Sequence, residues 1–305
     1  MSLLESYVQV RPDVAEALKN ARPVVALESA LITHGLPWPV NVETAAAAEE
    51  AVRRSGSIPA TIGVLDGQIY VGLGPDQVRA LASRSNAIKA GTRDLAAAVV
   101  LRNWAGTTVS ATLHIAQRVG IPIMATGGIG GVHRGGAESF DVSNDLIALA
   151  HLPVCVVCSG AKAILDIGLT LEKLETYGVP VVGYRTDRFP AFLVRESAFP
   201  VTSRVESVDD VARFLRVHWE LGGQGVVLAQ PPPEPALGEA EWVAVLNLAE
   251  KESRGIVGKN LTPFLLQRIA HHTAGRSLEV NRRLIEANAA LAGEVAAALS
   301  RIKKP

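Results

Sequence analysis

Short apolar runs that lack polar alternation recur along the chain and are separated by stretches with helical patterns. The runs cover residues 24–27, 121–125, 154–158, 179–184 and 225–229. A strand that is apolar on both sides must be covered on both sides, and this is typical of parallel sheets. The chain is therefore predicted to adopt an α/β fold, with a mostly parallel sheet covered by helices on both faces.

Two local patterns add detail to this prediction. Residues 61–65 and 68–73 are joined by Asp66-Gly67, which tolerates the positive φ of a tight turn and predicts one β-hairpin. After Gln230 and three prolines the chain becomes largely helical. Helices are predicted at 13–19, from Asn41 to before Gly56, and at 75–81, 95–102, 107–119, 142–150, 170–177, 207–221, 239–252, 263–271 and 277 to the end. With 305 residues and no clear linker, residues 1–305 are predicted to form a single domain.

The composition excludes several classes of partner. Lys and Arg together number 30, as do Asp and Glu, so no basic footprint for nucleic acid or a membrane surface stands out. No apolar run approaches the ~18 to 20 residues of a membrane span, and the first residues lack a signal-peptide pattern. We therefore expect a cytoplasmic protein whose partners are small molecules or further copies of itself.

Cys155 and Cys158 have the CxxC spacing of a redox site, but their context argues against that function. They lie in an apolar run, whereas the first cysteine of a redox pair opens a helix that lowers its pKa. We predict two buried strand cysteines that remain free thiols, which suits a reducing compartment.

A glycine-rich stretch from Thr126 to Asp145 follows the apolar run at 121–125. Glycine lets the backbone approach a ligand closely and expose its N–H groups, so we predict an anion site, with phosphate held against Gly127 to Gly131. A flexible surface loop is the alternative, but the nearby His133 and acidic residues favour a functional loop. The stretch is not a dinucleotide fingerprint, because His133 stands where a third glycine is required. Lys89 could supply a cation to the phosphate, unless it is merely solvated.

Polar residues at strand ends are candidates for chemistry, because ligands of open α/β sheets bind at the carboxyl ends of strands. Glu28 directly follows the run 24–27 and is the acid/base candidate, although a capping or solvated role is open. Lys162 follows the run 154–158 by four residues. Burial there would lower its pKa and free the amine for Schiff-base chemistry, whereas an ordinary helix-start lysine would stay in water. Asn281 and Asn288 share one face of the last helix, and we expect Asn281 to contact ligand and Asn288 to be structural.

Several of these stretches together resemble the pseudouridine-5′-phosphate glycosidase family over nearly the whole chain. The resemblance is carried by residues 24–29, 33–35, 59–62, 93–95, 106–109, 125–145, 159–162, 164–166, 258–259 and 262–266. It implies reversible cleavage of the C–C glycosidic bond of pseudouridine 5′-phosphate to uracil and ribose 5-phosphate. It also implies a homotrimeric, three-layer α/β/α protein with one divalent metal ion per subunit, usually Mn²⁺.

The resemblance assigns roles to individual residues. Lys162 matches the nucleophile that forms a Schiff base, Glu28 the proton donor, and Asp141 the metal-site aspartate. Together with the glycine-rich stretch and the last helix, the predicted substrate-binding residues are Lys89, Val109, Thr126, Gly127, Gly128, His133, Ser143, Asn144, Asp145 and Asn281. A lysine suits this chemistry because the leaving base has no heteroatom to protonate, so ring opening and an imine at C1′ are needed.

The chain departs from the family pattern at three positions. Ala30 replaces a common threonine, Thr92 a frequent second arginine, and Gln230 an asparagine. These changes put efficiency and substrate range in question more than reaction class. Two other functions remain open, namely a Schiff-base aldolase acting on another sugar phosphate and a non-catalytic phosphosugar-binding protein.

Overall fold

A mixed, mostly parallel sheet forms the centre of the protein in the computed structural model, which describes residues 6–162, 164–253, 256 and 261–302. The strands are β1 (Val8–Val10), β2 (Val24–Leu27), β3 (Ile58–Leu65), β4 (Gln68–Val71), β5 (Ile88–Ala90), β6 (Ala105–Thr107), β7 (Ile123–Ala125), β8 (Val132–His133), β9 (Cys155–Cys158), β10 (Leu165–Asp166), β11 (Val181–Tyr184), β12 (Ser203–Val205) and β13 (Val226–Ala229). Strands β8 and β10 form a separate antiparallel pair, and the others belong to the main sheet. The predicted motif at Gly258-Lys259, and the predicted cap at Thr262 before Pro263, lie outside the residues and side chains that are described.

The helices are α1 (Pro12–Lys19), α2 (Val40–Arg54), α3 (Pro75–Ala82), α4 (Leu95–Val100), α5 (Val109–Val119), α6 (Gly136–Ser139), α7 (Asn144–His151), α8 (Ile167–Thr176), α9 (Val208–Glu220), α10 (Glu239–Glu252), α11 (Leu261–His272) and α12 (Arg276–Arg301). A π-helical turn occupies Leu31–Gly35 and a 3₁₀ turn Thr92–Asp94. The long α12 packs against α2, α9 and strands β2, β7 and β9, while α5 packs against α7 and β2. Among the described residues, no helix is both long and apolar enough to cross a membrane.

The strand order is β1-β4-β3-β2-β7-β9-β13-β11-β12, with β6 joined to β3 and β5 joined to β6. Each pair of adjacent strands in the series β3-β2-β7-β9-β13-β11-β12 is parallel. On its other side, β3 pairs antiparallel with both β4 and β6. Strands β2, β9, β11 and β13 are buried along their whole length. The α/β class and the three-layer arrangement predicted from their uninterrupted apolar runs are confirmed.

The hairpin is confirmed, with Asp66 at φ 49° and Gly67 at φ 79° in its turn. Residues 105–107 form strand β6, so the predicted helix at 107–119 begins only at Val109. The physical reason is a tertiary contact, because the hydroxyl of Thr107 donates to the carbonyl oxygen of Ile62 at 2.7 Å. The pairing of β6 with β3 is a second antiparallel contact in the main sheet, which the sequence pattern did not reveal.

Helix starts differ from the predictions where a side chain is used elsewhere. Asn41 is not the N-cap residue of α2, because the helix already begins at Val40. The side-chain amide of Asn41 instead donates to the carbonyl oxygen of Ile32 at 2.7 Å. Helix α8 starts three residues earlier than predicted, after Asp166, whose carboxylate accepts from the N–H of Leu169 at 2.9 Å. Capping of α9 by Ser207 is confirmed.

Candidate active site

The glycine-rich stretch extends the sheet rather than leaving it. The N–H of Ser159 donates to the carbonyl oxygen of Gly127 at 2.9 Å, and the N–H of Ile129 donates to the carbonyl oxygen of Gly160 at 3.0 Å. The N–H of Lys162 then donates to the carbonyl oxygen of Ile129 at 2.9 Å. Residues 127–129 and 159–162 therefore continue the parallel pairing of β7 with β9, and this fixes Lys162 beyond the carboxyl end of the sheet.

The glycines of this stretch are required for close packing. A Cβ on Gly128 would lie 2.7 Å from the Phe192 ring, and one on Gly130 would lie 2.7 Å from a carboxylate oxygen of Asp145. Contacts this short do not occur in real structures, so a side chain is excluded at both positions. Neither glycine has a positive φ. Glycine is needed here so that other groups can lie close to the backbone, as expected. At Gly128 and Gly130 these groups are side chains of the protein and not a ligand.

The carboxylate of Asp145, on α7, binds the backbone of the glycine-rich stretch and of α5. One oxygen accepts from the N–H of Ser110 at the start of α5, and the other from the N–H of Gly130, each at 2.8 Å. Asp145 is only 4% exposed and lies in the first turn of α7 behind Ser143, whose hydroxyl accepts from the Asp145 N–H at 3.2 Å. Both carboxylate oxygens therefore have backbone partners. These bonds give Asp145 a role in positioning the neighbouring backbone. Direct contact between Asp145 and the substrate stays a prediction.

Two of the amides predicted to cradle phosphate are already engaged. Those of Ile129 and Gly130 donate to Gly160 and Asp145, so they point into the protein. The prediction that the whole backbone from Gly127 to Gly131 binds phosphate is therefore wrong for these two groups. The reason is that the stretch pairs with the segment after β9 in the manner of a strand.

Glu28 lies at the carboxyl end of β2, next to Thr126 at the end of β7. Its carboxyl group is 5% exposed and accepts a hydrogen bond from the hydroxyl of Thr126. Burial raises the pKa of Glu28 above the ordinary glutamate value, opposed by the charge of Lys162 and by the bond from Thr126. The carboxyl group is poorly solvated because it lies beside a small apolar void, which is lined mainly by Leu27, Leu31, Ala45 and Ala48. A carboxyl group whose pKa is raised in this way is suited to act as a general acid.

A first cavity of about 60 Å³ opens over Glu28. Its polar lining comes from Glu28, Thr126, Asn281, Lys89, Lys162 and His34, and its apolar walls include Leu31, Leu36, Phe192, Leu266 and Ile285. Gly127 and Gly128 also line it. A lining of apolar walls with a few convergent polar groups is typical of a small-molecule site. We call it the base cavity, for reasons given under the proposed function.

A second, larger cavity of about 660 Å³ adjoins the first. It contains the other predicted site residues His133, Asp141, Ser143, Asn144 and Asp145, together with Arg93, Asp94, Thr108, Ser110 and Gly130. Lys89 and Lys162 line both cavities, and each is partly exposed. The two lysines therefore lie where the two spaces meet. We call the larger space the phosphate cavity.

Asn281 and Asn288 on α12 differ in the way that was expected. The Asn288 amide is fully buried and donates to the carbonyl oxygen of Thr126 at 2.9 Å and to the hydroxyl of Ser159 at 3.1 Å. Asn281 is 9% exposed and lines the base cavity, and its Oδ1 has no hydrogen-bond partner among the described residues. A buried acceptor without a partner is costly, so the oxygen of Asn281 is a strong candidate for contact with a ligand.

Val109 does not present its side chain to either cavity. It is fully buried at the start of α5, while its neighbours Thr108 and Ser110 line the phosphate cavity. A contact between Val109 and substrate would have to come from its backbone. Sequence reasoning also passed over His34 and Phe192. His34 stood in a quoted motif close to Glu28, whereas Phe192 lies in a loop, at φ 63°, and gave no local signal.

The side chains around Asp141 suit only a well-hydrated metal ion. Asp141 is exposed at the phosphate cavity, while both oxygens of Asp145 are engaged and Asp94 accepts from the N–H of Gly91 at 2.9 Å. In the described part of the chain, no group of three or more His, Cys, Asp or Glu side chains could hold a metal ion. A single free carboxylate fits a divalent ion of the Mg²⁺ type, which keeps several of its waters.

The structure shows what surrounds the three residues that depart from the family pattern and the two cysteines. Ala30 lines the base cavity, the hydroxyl of Thr92 is buried without a partner among the described residues, and Gln230 donates to Asn288 at 3.3 Å. Cys155 and Cys158 are buried free thiols in β9, and burial raises the pKa of Cys158 to about 12. A redox role for the CxxC pair is therefore excluded, as predicted.

The fold and these side chains define an α/β enzyme in which a lysine and a buried carboxyl group face the same small-molecule cavity. The chain belongs to the family of indigoidine synthase A like proteins, whose model matches residues 13–298. Together with the relatives named next, this match confirms the family resemblance drawn from the sequence motifs.

Individual relatives match over nearly their whole length. The pseudouridine-5′-phosphate glycosidase of Deinococcus radiodurans is 49% identical, over 98% of this chain and 97% of the relative. The enzyme of the same name from Escherichia coli is 46% identical, over 99% and 98%. Among solved structures, the prealnumycin C-glycosynthase AlnA in complex with ribulose 5-phosphate superposes with a TM-score of 0.89 at 41% identity, covering 96% of this chain and 97% of that one. An indigoidine synthase A-like protein from Thermotoga maritima gives 0.89 at 37% identity, covering 97% of each chain.

Proposed function

We propose that this protein reversibly cleaves the C–C glycosidic bond of pseudouridine 5′-phosphate, giving uracil and ribose 5-phosphate. The observation that carries the proposal is that Glu28 and Lys162 line one cavity beyond the carboxyl ends of β2 and β9, the two strands on either side of β7. The names of the relatives from Deinococcus radiodurans and Escherichia coli support the same reaction.

The two cavities suit the two halves of this substrate. The base carbon must receive a proton as the bond breaks, so the base belongs beside Glu28, in the cavity with apolar walls. The sugar phosphate belongs in the larger cavity, where Lys89, Arg93 and the N-terminus of α7 favour an anion. Lys162 lines both cavities and would face C1′, the atom that joins the two halves.

The chemistry follows from this placement. The C1′–O bond of the ribose ring breaks as the Nζ of Lys162 bonds to C1′, and the ring oxygen takes the proton that the nitrogen loses. Glu28 then gives its proton to the base carbon, the C–C bond breaks, and the nitrogen lone pair forms a protonated imine with C1′. Water hydrolyses this imine, which releases ribose 5-phosphate, restores the amine and returns a proton to Glu28. Thr126 and the backbone bond of Lys162 to Ile129 keep the acid and the nucleophile in place.

A divalent ion is part of the proposal. Asp141 would hold it largely through water at the phosphate cavity, where its charge would help to neutralise the sugar phosphate. Mn²⁺, with one ion per subunit, is the expected metal. We further propose a cytoplasmic homotrimer, as the family resemblance implies.

An assay for uracil release from pseudouridine 5′-phosphate, with added Mn²⁺ and with chelator, tests the function. Release that requires the metal is the expected result. A Schiff-base aldolase would instead cleave a sugar phosphate without producing uracil. A binding protein would retain ribose 5-phosphate without turnover, and either outcome would replace the proposal.

A further inference from the structure

His34 belongs to the base cavity but has no part in the reaction described above. It lies in the π-helical turn Leu31–Gly35, which follows Glu28 and contributes Leu31, His34 and Gly35 to the cavity lining. Single π-helical turns occur frequently at functional sites. His34 is partly exposed and lines the cavity.

The hydrogen bonds around His34 define which ring nitrogen is free. Nδ1 lies 2.7 Å from the hydroxyl oxygen of Thr33, and that hydroxyl donates its single proton to the carbonyl oxygen of Ala30 at 3.5 Å. We assign the ring proton to Nδ1, because the Thr33 oxygen can then accept from Nδ1–H while its hydroxyl donates to Ala30, and this leaves the lone pair on Nε2. Burial lowers the pKa of His34, and the charge of Lys89 lowers it further, so the ring is neutral near pH 7. Nε2 is then a hydrogen-bond acceptor.

Asn281 supplies a second acceptor to the same cavity. Its Oδ1 is buried and has no partner among the described residues. The base cavity thus offers two acceptors, Nε2 of His34 and Oδ1 of Asn281, in addition to the carboxyl group of Glu28.

Two acceptors match the feature that distinguishes a C5-linked uracil from an N1-linked one. When uracil is joined to ribose through C5, both ring nitrogens carry a proton, whereas uridine retains only the proton on N3. We propose that His34 is a specificity residue, whose Nε2 accepts from one ring N–H while Asn281 accepts from the other. This inference rests on the proposed function, because it places the base in the cavity above Glu28.

The expected selectivity comes from the unpaired group that a wrong base leaves behind. A site built to receive two N–H donors discriminates against a base with one, because a buried acceptor then loses its partner. Each bond of this kind is worth about one order of magnitude in kcat/KM. The cavity would therefore reject uridine 5′-phosphate at the binding step as well as through the chemistry.

Two His34 variants of similar length isolate the acceptor. His34→Gln keeps an oxygen that can accept a hydrogen bond, whereas His34→Met has no comparable acceptor. Uracil release is measured for both variants and the parent with pseudouridine 5′-phosphate and with its N1-methyl and N3-methyl derivatives. We expect the parent and His34→Gln to discriminate against both derivatives. His34→Met should lose about tenfold in kcat/KM on the unmodified substrate and should no longer discriminate against one of the two derivatives.

The opposite results are equally clear. If His34→Met discriminates against both derivatives as the parent does, or loses activity equally on all three substrates, His34 does not read a ring N–H. If the parent releases no uracil, the proposed function fails. The acceptor role is then judged from the affinities of the parent and His34→Met for uracil, 1-methyluracil and 3-methyluracil by calorimetry. Loss of one methyl preference in His34→Met supports the role, and unchanged preferences overturn it.

Discussion

The amide nitrogen of Asn288 donates to the main-chain oxygen of Thr126 at 2.9 Å, so the last long helix is bound to the residue that holds the proposed acid. The hydroxyl of Thr126 in turn donates to Glu28. The same amide group bonds the hydroxyl of Ser159, three residues before Lys162. One buried side chain on α12 thus positions the end of β9, from which Lys162 emerges, and the end of β7, where Thr126 holds Glu28.

Replacing Asn288 by leucine should destabilise the protein by about 1–3 kcal/mol, because the Thr126 carbonyl and the Ser159 hydroxyl lose a buried partner. Asn281→Leu is the matched control, on the same helix face. The Oδ1 of Asn281 has no partner among the described residues, so this variant should unfold at the parent's temperature or above it and still lose substrate affinity. Thermal unfolding and substrate titration of both variants check this. Equal losses of stability in both would contradict the division of roles.

The stability of Glu28→Gln should depend on pH in a defined direction. Burial raises the pKa of Glu28 in the folded state above its value in the unfolded chain. Below the ordinary glutamate pKa both states hold the proton, so no penalty exists there. As the pH rises towards the folded-state pKa, the unfolded chain releases the proton first, and the parent loses stability.

Glutamine does not titrate and still accepts from Thr126, so Glu28→Gln should exceed the parent in Tm near pH 7. This advantage should shrink as the pH falls through the ordinary glutamate pKa. Thermal unfolding from about pH 4 to about pH 8 measures it. A constant difference in Tm across that range would show that the pKa of Glu28 is not raised. The variant should also lack uracil release at every pH.

Lys162 should carry the covalent adduct. Incubation with ribose 5-phosphate and borohydride should leave a reduced adduct that peptide mapping assigns to Lys162, and Lys162→Ala should bind ligand without trapping or turnover. Arginine should not restore activity, because guanidinium stays protonated. Lys89→Ala is the control, since Lys89 lines the same two cavities and its loss should leave trapping intact when ribose 5-phosphate is saturating. An adduct on Lys89 would reverse the assignment.

Lys89 should act through the phosphate. Lys89→Ala is expected to lower kcat/KM for pseudouridine 5′-phosphate by on the order of 100-fold, and for pseudouridine itself far less, because only the phosphorylated substrate uses the cation. Arg93→Ala provides a comparison, as its side chain is 78% exposed and lies 3.8 Å from Asp94. Steady-state kinetics on both substrates give the ratio. Equal losses on the two substrates would exclude a phosphate contact for Lys89.

Asp141 and Ser143 should separate metal binding from helix capping. Ser143 caps α7 through the N–H of Asp145, so Ser143→Ala should cost about 1 kcal/mol of stability. Asp141→Asn should leave Tm unchanged and abolish activation by Mn²⁺, because the exposed carboxylate has no capping role in the structure. Thermal unfolding and metal titration distinguish the two effects. Retained activation in Asp141→Asn would place the metal elsewhere.

The sequence predicted best where a single chemical rule decides the structure. Val226–Ala229 and Glu239–Glu252 were located to within one residue, since a buried apolar run and a charged helix each have one stable arrangement. The Asp66-Gly67 turn was equally clear, because a positive φ at both residues selects its type. The placement of Glu28 and Lys162 at strand ends followed from the topology of parallel sheets.

Features that depend on distant partners were missed. Strand β6 exists because Thr107 bonds to Ile62, 45 residues away, and its three residues carry no strand pattern. The two cavities with the lysines at their junction could not be read from spacing along the chain. Phe192 entered the base cavity from a loop whose position is set by its N–H bond to the carbonyl oxygen of Ser159 at 2.9 Å.

The pairing of residues 127–129 with 159–162 has a consequence for hydrogen exchange. Surface loops exchange their amide protons through local opening, at little cost in free energy. Here the N–H groups of Ile129 and Lys162 are bonded across a continuation of the central sheet. The amide protons of Ile129 and Lys162 should therefore exchange as slowly as those of β7 and β9, through opening of the whole domain and not through local opening. The glycine-rich stretch would then behave in solution as the most rigid part of the site.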